Sequence, residues 1–221
     1  MPKTTATTEE YLEVIYMIES EGRIVKGARL AQSLKVSRPT VTATLRRLSR
    51  DGFIKVNDDK TIALTKNGLK MAEELQRRHR IVERWLTDVL KLDWADSDAE
   101  AHRLEHAVSD KVAERLNEVL GFPATCPHGN PIPGNRQPND GKVFPLSQAA
   151  EGDRVRVIRI SEYAENTADM LRYLGEHGLR PNAQVAISDK AYQHGTLTLH
   201  VGEKHFALTP QIAEFIWVAK A

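Results

Sequence analysis

A single cysteine, Cys126, stands in a chain of 221 residues, so no disulfide forms within it and a reducing cytoplasm is the expected setting. Long apolar runs are missing as well. The longest fall far short of the roughly 18 residues a membrane span requires. The first residues, Met1-Pro2-Lys3-Thr4-Thr5, lack the apolar core of a secretion signal. Net charge is also scarce, at +1 overall, which excludes a uniformly basic or acidic surface.

That small total conceals an uneven distribution. Residues 1–70 carry 13 Lys and Arg against 8 Asp and Glu, a surplus of +5. Residues 71–120 carry 8 against 12, or −4, and residues 121–221 balance at 10 against 10. A basic head followed by an acidic, histidine-bearing middle suggests anion binding in the first and cation binding in the second.

The head has a clear pattern. A first helix is expected from Thr7 or Thr8 to Glu21, ending at Gly22, with Tyr11, Leu12, Ile15, Tyr16 and Ile18 on its core face. Thr7-x-x-Glu10 matches a capping box, which offers a purely structural role for Glu10. Gly27 to Val36 reads as a second, short helix. Ser37 then provides an N-cap and Pro39 a helix start for a third helix, Arg38 to Asp51, whose buried stripe is Val41, Leu45 and Leu48. Its outer face carries Thr40, Thr42, Arg46, Arg47 and Arg50. This is the arrangement of a helix-turn-helix, with short polar residues able to approach base edges and arginines available to bases or phosphates. Two β-like runs, Phe53–Val56 and Thr61–Leu64, make a wing with Lys60 at its tip, within reach of a phosphate.

From Lys66 helical periodicity returns. Ile81, Trp85 and Val89 with Val82, Leu86 and Leu90 form one broad apolar stripe, and Val108, Val112, Leu116 and Val119 another. Such stripes favour a homodimer, which also supplies the two recognition helices that an inverted-repeat DNA site demands. Within this region His102-Arg103-Leu104-Glu105-His106 places two imidazoles and a carboxylate on one helix face, and His79 with Glu83 makes a second i,i+4 pair. These donors suit a first-row divalent metal. A Pro- and Gly-rich linker spans residues 121–142. Short strands follow, at Val155–Ile160, Ala183–Ile187, Thr196–Val201, His205–Leu208 and Phe215–Val218, with one helix near Ala168–Leu174, as in an SH3-like barrel. The expected fold is therefore mainly α with a small β domain: a winged helix-turn-helix at 1–65, a helical metal-binding and dimerisation domain at 66–135, and a linker with an SH3-like domain at 136–221.

Taken in order, Thr8-Glu9-Glu10-Tyr11-Leu12, Ser37-x-Pro39-Thr40-Val41, Arg50-Asp51-Gly52, His79-Arg80-x-x-Glu83-Arg84, Glu100-Ala101-His102-Arg103-x-Glu105-His106 and Gly129-Asn130-Pro131-Ile132-Pro133-Gly134 give a chain that resembles the diphtheria toxin repressor family of metal-dependent transcriptional repressors. The likeness implies a C-terminal FeoA-like module and DNA contacts through Ser37, Arg38, Pro39, Thr40, Thr42, Arg47, Arg50 and Lys60. It implies a primary metal site of Glu10, His102, Glu105 and His106, and an ancillary site of His79 and Glu83. Asp98 stands there where the family usually has a histidine, and Glu162 and Glu165 match donors from the barrel. Cys126 and His128 match a segment that supplies second-site ligands in the manganese-responsive branch. Iron-responsive members have a methionine at the position of Glu10 and a cysteine at that of His102. Manganese-responsive members carry carboxylates matching Glu10 and Glu13 but usually a glutamate at His102, so this chain departs from both. Without sulfur at those positions the implied cofactor is Mn²⁺, then Fe²⁺, with Zn²⁺ or Co²⁺ substituting in vitro.

Two rival readings attach to the same residues. His102-x-x-Glu105-His106 also matches the inverted zinc-peptidase motif, which needs a third protein ligand and an open position for water. Cys126 offers a redox sensor, although nothing near it in sequence explains a lowered thiol pKa.

Overall fold

The computed structural model describes residues 5–137, 139–163, 167–189 and 195–221. Helix α1 (Ala6–Ser20) begins behind Thr5, whose side chain accepts from the Thr8 amide. The cap is thus two residues earlier than the Thr7–Glu10 capping box expected from the sequence, and Glu10 is released from that role. Helices α2 (Gly27–Ser33) and α3 (Arg38–Arg50) follow, α3 capped by Ser37 with Pro39 in its first turn. The wing is the antiparallel pair β1 (Ile54–Val56) and β2 (Ile62–Leu64). Tyr11, Leu12, Ile15 and Ile18 of α1 pack with Leu30, Val41, Leu48, Ile54 and Ile62 into one core, which fastens the recognition helix to α1.

Helix α4 (Lys66–Asp88) starts at the Thr65 cap and runs from head to body. Gly68 in its first turn lies so close to the wing that a Cβ there would stand 2.0 Å from the Phe53 carbonyl oxygen, so only glycine fits this approach. Helix α5 (Trp94–Leu104) is capped by Asp93, and α6 (Asp110–Val119) by Ser109. Val108 therefore lies outside the helix to which its spacing assigned it. Val82, Leu86 and Ala101 form a small body core with Trp85, Leu92, Val108 and Leu116 around it. Val89, Leu90, Leu104, Val112, Val119 and Phe122 remain exposed on this part of the chain.

The C-terminal module is a six-stranded antiparallel sheet in the order β3-β8-β4-β5-β6-β7. Its strands are β3 (Phe144–Pro145), β4 (Arg154–Ile160), β5 (Gln184–Asp189), β6 (Leu197–Val201), β7 (Lys204–Leu208) and β8 (Ile216–Lys220), with α7 (Thr167–Glu176) and α8 (Pro210–Ala213) between them. The expected mixture of a winged head, a helical body and an SH3-like sheet is present. One feature escaped periodicity: Trp94 and Ala95, at the start of α5, are buried in the core of this module. Among the described residues no helix is long and apolar enough to cross a membrane.

Candidate metal centre and nucleic-acid interface

Gln76, His79, Arg80 and Glu83 share one face of α4, and the packing of α1 and α5 against that face brings their donors to it. Glu13 of α1, His79 of α4 and His102 and Glu105 of α5 and its C-cap each offer an atom within 4.8 Å of the others. His79 Nδ1 lies 2.6 Å from Glu105 Oε2, and His102 Nδ1 lies 3.0 Å from Glu105 Oε1 and 3.9 Å from Glu13 Oε2. Gln76 Nε2 donates to Glu13 Oε1 at 3.2 Å. A second group joins Glu83, Cys126 and His128, also within 4.8 Å of one another. His79 connects the two, with Nε2 3.4 Å from Asp98 Oδ1 and 4.0 Å from Glu83 Oε2.

The second group owes its position to the 126–130 turn. Gly129 has φ +88°, and a Cβ on it would fall 2.1 Å from the Ile158 carbonyl oxygen. Only glycine lets this turn sit against β4. His128 Nδ1 then abuts Glu83 Oε1. Glu162, just beyond β4, is gripped by Arg80 at 2.7 and 3.0 Å, and the Cys126 thiol reaches its Oε1 at 3.7 Å.

Burial makes these charges costly. Glu13 is pushed up to about 8, first by burial and then by the Glu105 carboxylate. His102 rises to about 9, chiefly through its bond to Glu105. Burial opposes ionisation of Glu105, yet the His102 and His79 hydrogen bonds hold it low. His79 is driven well above its ordinary value: burial lowers it, but Asp98 and Glu105 overcome that. His128 is raised by Glu83 against the effect of burial. The Cys126 thiol is forced well up by burial and by the carboxylates of Glu83 and Glu162.

Whether these residues fit a metal can be tested on their hydrogen bonds. Both oxygens of the fully buried Glu83, Oε1 of Glu105 and both ring nitrogens of His128 make no well-aligned hydrogen bond, although Glu83 Oε1 abuts His128 Nδ1 and Glu105 Oε1 lies 3.0 Å from His102 Nδ1. Buried polar atoms are rarely left so, and a cation in each group would satisfy those of that group. Oxygen and nitrogen donors in the first group, with one sulfur in the second, suit a first-row divalent ion. The residues present fit the group.

The structure sorts the sequence-derived candidates differently from their spacing. Glu10 lines the same cleft of about 360 Å³ as Glu13, His79, Asp98, His102 and Glu162, but Glu13 is the α1 residue whose oxygen joins the donor cluster. Helix α5 ends at Leu104, so His106 lies past it rather than on the face shared by His102 and Glu105. Its Nδ1 meets Glu9 Oε2 at 2.7 Å, and its Nε2 lies 3.4 Å from Glu105 Oε1. Glu165 falls outside the described residues. Sequence reasoning missed Glu9, Gln76 and the buried Arg80. Gln76 and Arg80 had a signal, since both share the α4 face with His79 and Glu83.

The nucleic-acid face is simpler. Ser37, Arg38, Pro39, Thr40, Thr42, Arg46 and Arg50 are exposed along α3, with Arg47 half-buried. Lys60, at φ 64° in the wing turn, is exposed too. A winged head with this basic outer face, mounted on helices that carry buried histidine–carboxylate clusters, defines a metal-responsive DNA-binding regulator.

Comparison with known proteins gives the family. Residues 3–62 match the iron dependent repressor N-terminal DNA binding domain, residues 65–134 the iron dependent repressor metal binding and dimerisation domain, and residues 144–220 the FeoA domain. The chain is 36% identical to the iron-dependent repressor IdeR of Mycobacterium tuberculosis over 231 residues, covering 100% of each. It is 35% identical to the diphtheria toxin repressor of Corynebacterium diphtheriae over 218 residues, covering 95% of each. Its structure is similar to that of a manganese-dependent transcriptional repressor in complex with manganese, with a TM-score of 0.87 and 30% identity over 97% of this chain and 100% of that one. The chain belongs to the diphtheria toxin repressor family of metal-dependent DNA-binding repressors, which regulate transcription and catalyse nothing. The peptidase reading of His102-x-x-Glu105-His106 falls with that membership. A buried thiol whose pKa is raised is also a poor redox sensor.

Proposed function

We propose that this chain is a homodimeric cytoplasmic repressor that binds an inverted-repeat operator when loaded with Mn²⁺, or next with Fe²⁺. The observation that carries the reading is the meeting of Glu13, from the DNA-binding head, with His79, His102 and Glu105 of the body. We assign the first site to Glu13, His79, His102 and Glu105, with Glu10 and His106 adjacent. The second takes Glu83, Cys126, His128 and Glu162, with Asp98 between the two. The head comprises residues 1–65, the body 66–135 and the linker with the sheet module 136–221.

When bound, a divalent cation supplies positive charge that carboxylates from separate helices share. Glu13 and Glu105 repel each other once both are ionised, so without that charge the approach of Glu13 to the end of α5 relies on Glu13 holding its proton. Glu13 and Glu105, ionised and sharing such an ion, would tie α1 to the end of α5 and hold the head in one orientation on the body. The ion acts as an effector to the extent that this orientation is the one that binds DNA. Manganese is favoured because the first group lacks sulfur and is rich in carboxylate. The relative solved with manganese supports that choice, while relatives named for iron keep Fe²⁺ second. A related structure with bound Zn²⁺ supports substitution by softer ions. The exposed apolar residues Val89, Leu90, Val112 and Val119 supply a face for a second copy.

The test is operator binding titrated anaerobically with Mn²⁺, Fe²⁺, Co²⁺ and Zn²⁺ against a chelator control. Half-sites about one helical turn, roughly 34 Å, apart are expected. Thr40→Ala or Thr42→Ala should change base preference, whereas Arg50→Ala or Lys60→Ala should weaken all sequences alike and flatten the salt dependence. Specific binding that survives the chelator unchanged defeats the proposal.

A further inference from the structure

We infer that Glu21, Arg159 and Trp217 form a metal-free clasp that fixes the DNA-binding head to the C-terminal module, making Glu21 a positioning residue for the recognition helix. The geometry stands by itself; the consequence for DNA binding rests on the repressor reading above.

Glu21 is the C-cap of α1, at the negative end of the helix dipole, where a carboxylate is locally unfavourable. Its side chain is nonetheless only 5% exposed. Both oxygens are occupied across the interface. Oε1 accepts from Arg159 Nη1 at 2.6 Å, and Oε2 accepts from Trp217 Nε1 at 2.6 Å. The Arg159 guanidinium lies 4.4 Å from the centre of the Trp217 ring, so the two donors also hold each other. Arg159 Nη1 further reaches Asn130 Oδ1 at 3.3 Å, and Asn130 donates to the Ile160 carbonyl at 2.8 Å. Head, body turn and sheet module meet at this one arginine.

The other contacts between head and module among the described residues are fewer and more solvated. Their apolar cores are separate, and only Tyr163 crosses to the head core, where Ser33 Oγ donates to its hydroxyl at 3.2 Å. Clefts of about 760 and 710 Å³, both lined by Arg23, Arg29, Gln32 and Phe215, open between the two parts. The peripheral Arg23, 30% exposed, makes only loose contacts there, 3.5 Å to Glu214 and 5.3 Å to the centre of the Phe215 ring. Buried charge-assisted hydrogen bonds are therefore the main fixed points of this contact.

The clasp closes a circuit. Helix α1 meets α5 near Glu13; α5 is anchored in the module through Trp94 and Ala95; and the module returns to α1 at Glu21. A helix held at its middle and at its C-terminal end cannot pivot about the middle, whereas one held only near Glu13 can. Loosening Glu21 therefore leaves more of the work of orienting the head to the metal centre.

The test compares the full chain with Glu21→Gln and Trp217→Phe, using Arg23→Gln as a control at the solvated pair. Dyes on Asp58→Cys in the wing and Glu203→Cys in the module report the head–module distance, one labelled protomer per dimer; buried Cys126 is left unlabelled. Expected in chelator is a broadened distance distribution for Glu21→Gln and Trp217→Phe, narrowed again by Mn²⁺, with Arg23→Gln like the parent. Operator binding should then need about tenfold more Mn²⁺ for Glu21→Gln, the loss expected of a charge-assisted bond. Unchanged distributions in both clasp variants overturn the inference. If parental operator binding ignores Mn²⁺, the repressor reading fails instead, and the dye distances still judge the clasp.

Discussion

Replacing Glu13 by glutamine should make the metal-free protein more stable while abolishing its response to metal. Glu13 is 4% exposed and its folded pKa stands at about 8 against an ordinary value of 4.5, because burial and Glu105 disfavour its charge. Unfolding frees it to ionise, so the folded state loses stability as pH rises from about 4.5 to about 8 and is fully penalised above that. The loss is on the order of 5 kcal/mol at complete ionisation, of which about 3 kcal/mol has developed by pH 7. Glutamine cannot ionise, and its carbonyl can still accept from Gln76 Nε2 as Glu13 does. In chelator, Glu13→Gln should therefore exceed the parent by about 3 kcal/mol at pH 7, and by under about 1 kcal/mol at pH 5. In a chain of this size that is a melting shift of roughly 5–10 °C at pH 7. Urea denaturation at pH 5, 7 and 8, with operator binding in Mn²⁺ measured alongside, gives both readouts. A difference in stability that stays flat across this range would refute the electrostatic account, and an intact metal response would remove Glu13 from the centre.

Two further outcomes follow from the same charges. At pH 7 both Glu13, near 8, and His102, near 9, hold protons that ligation must displace, so Mn²⁺ affinity should climb by at least about tenfold per pH unit from pH 7 to 8, with proton release visible in weak buffer; affinity that does not vary with pH would show that these groups are not ligands. Arg80→Ala should cost about 3–5 kcal/mol by leaving the buried Glu162 carboxylate unpaired. Arg80 holds Glu162 below its ordinary value against the pull of burial, so the stability it lends exists above pH 4.5 and fades as pH falls through the folded value; the variant's deficit should shrink in acid and be relieved by Glu162→Gln, as denaturation curves would reveal.

Much of this centre was legible because helical spacing reports which residues of one helix share a face. His79 with Glu83, and His102 with Glu105, were found that way. Spacing is silent on which helices then meet. The resemblance put Glu10 in the primary site and gave Glu13, three residues on, only as a further carboxylate; the packing of α1 on α4 and α5 brings Glu13 into the donor cluster and leaves Glu10 lining the cleft beside it. His106 sits beside the cluster for a different reason: Glu105 caps α5, so the helical geometry that would align His106 with His102 stops short of it, and its Nε2 lies 3.4 Å from Glu105 Oε1. The Glu9–His106 contact joins residues 97 apart, and no local rule anticipates it. The same holds for Trp94, whose burial in the C-terminal module depends on how two separately patterned units dock. The winged head was readable almost throughout, since caps, turns and a period of 3.6 or 2 determine it locally.

The charges around His79 also say what kind of switch this is. Glu83, Glu105, Asp98 and Glu162 are carboxylates in or beside a largely buried space, and Arg80 with the raised His79, His102 and His128 supplies cations against them. Without metal, protons on the imidazoles and on Glu13 perform the neutralisation that a divalent ion would otherwise provide. The proposed ligands are therefore already gathered, and a divalent ion would exchange for protons there instead of assembling a site from dispersed parts. Such a centre forgoes the large free energy of coupled folding. Its influence on the head is limited to the difference between a proton-held and a metal-held contact of α1 with α5, in the range of 1–3 kcal/mol typical of coupling between sites. An effector acting through so small a difference works best on a head that is already restrained, and the Glu21 clasp at the far end of α1 provides that restraint.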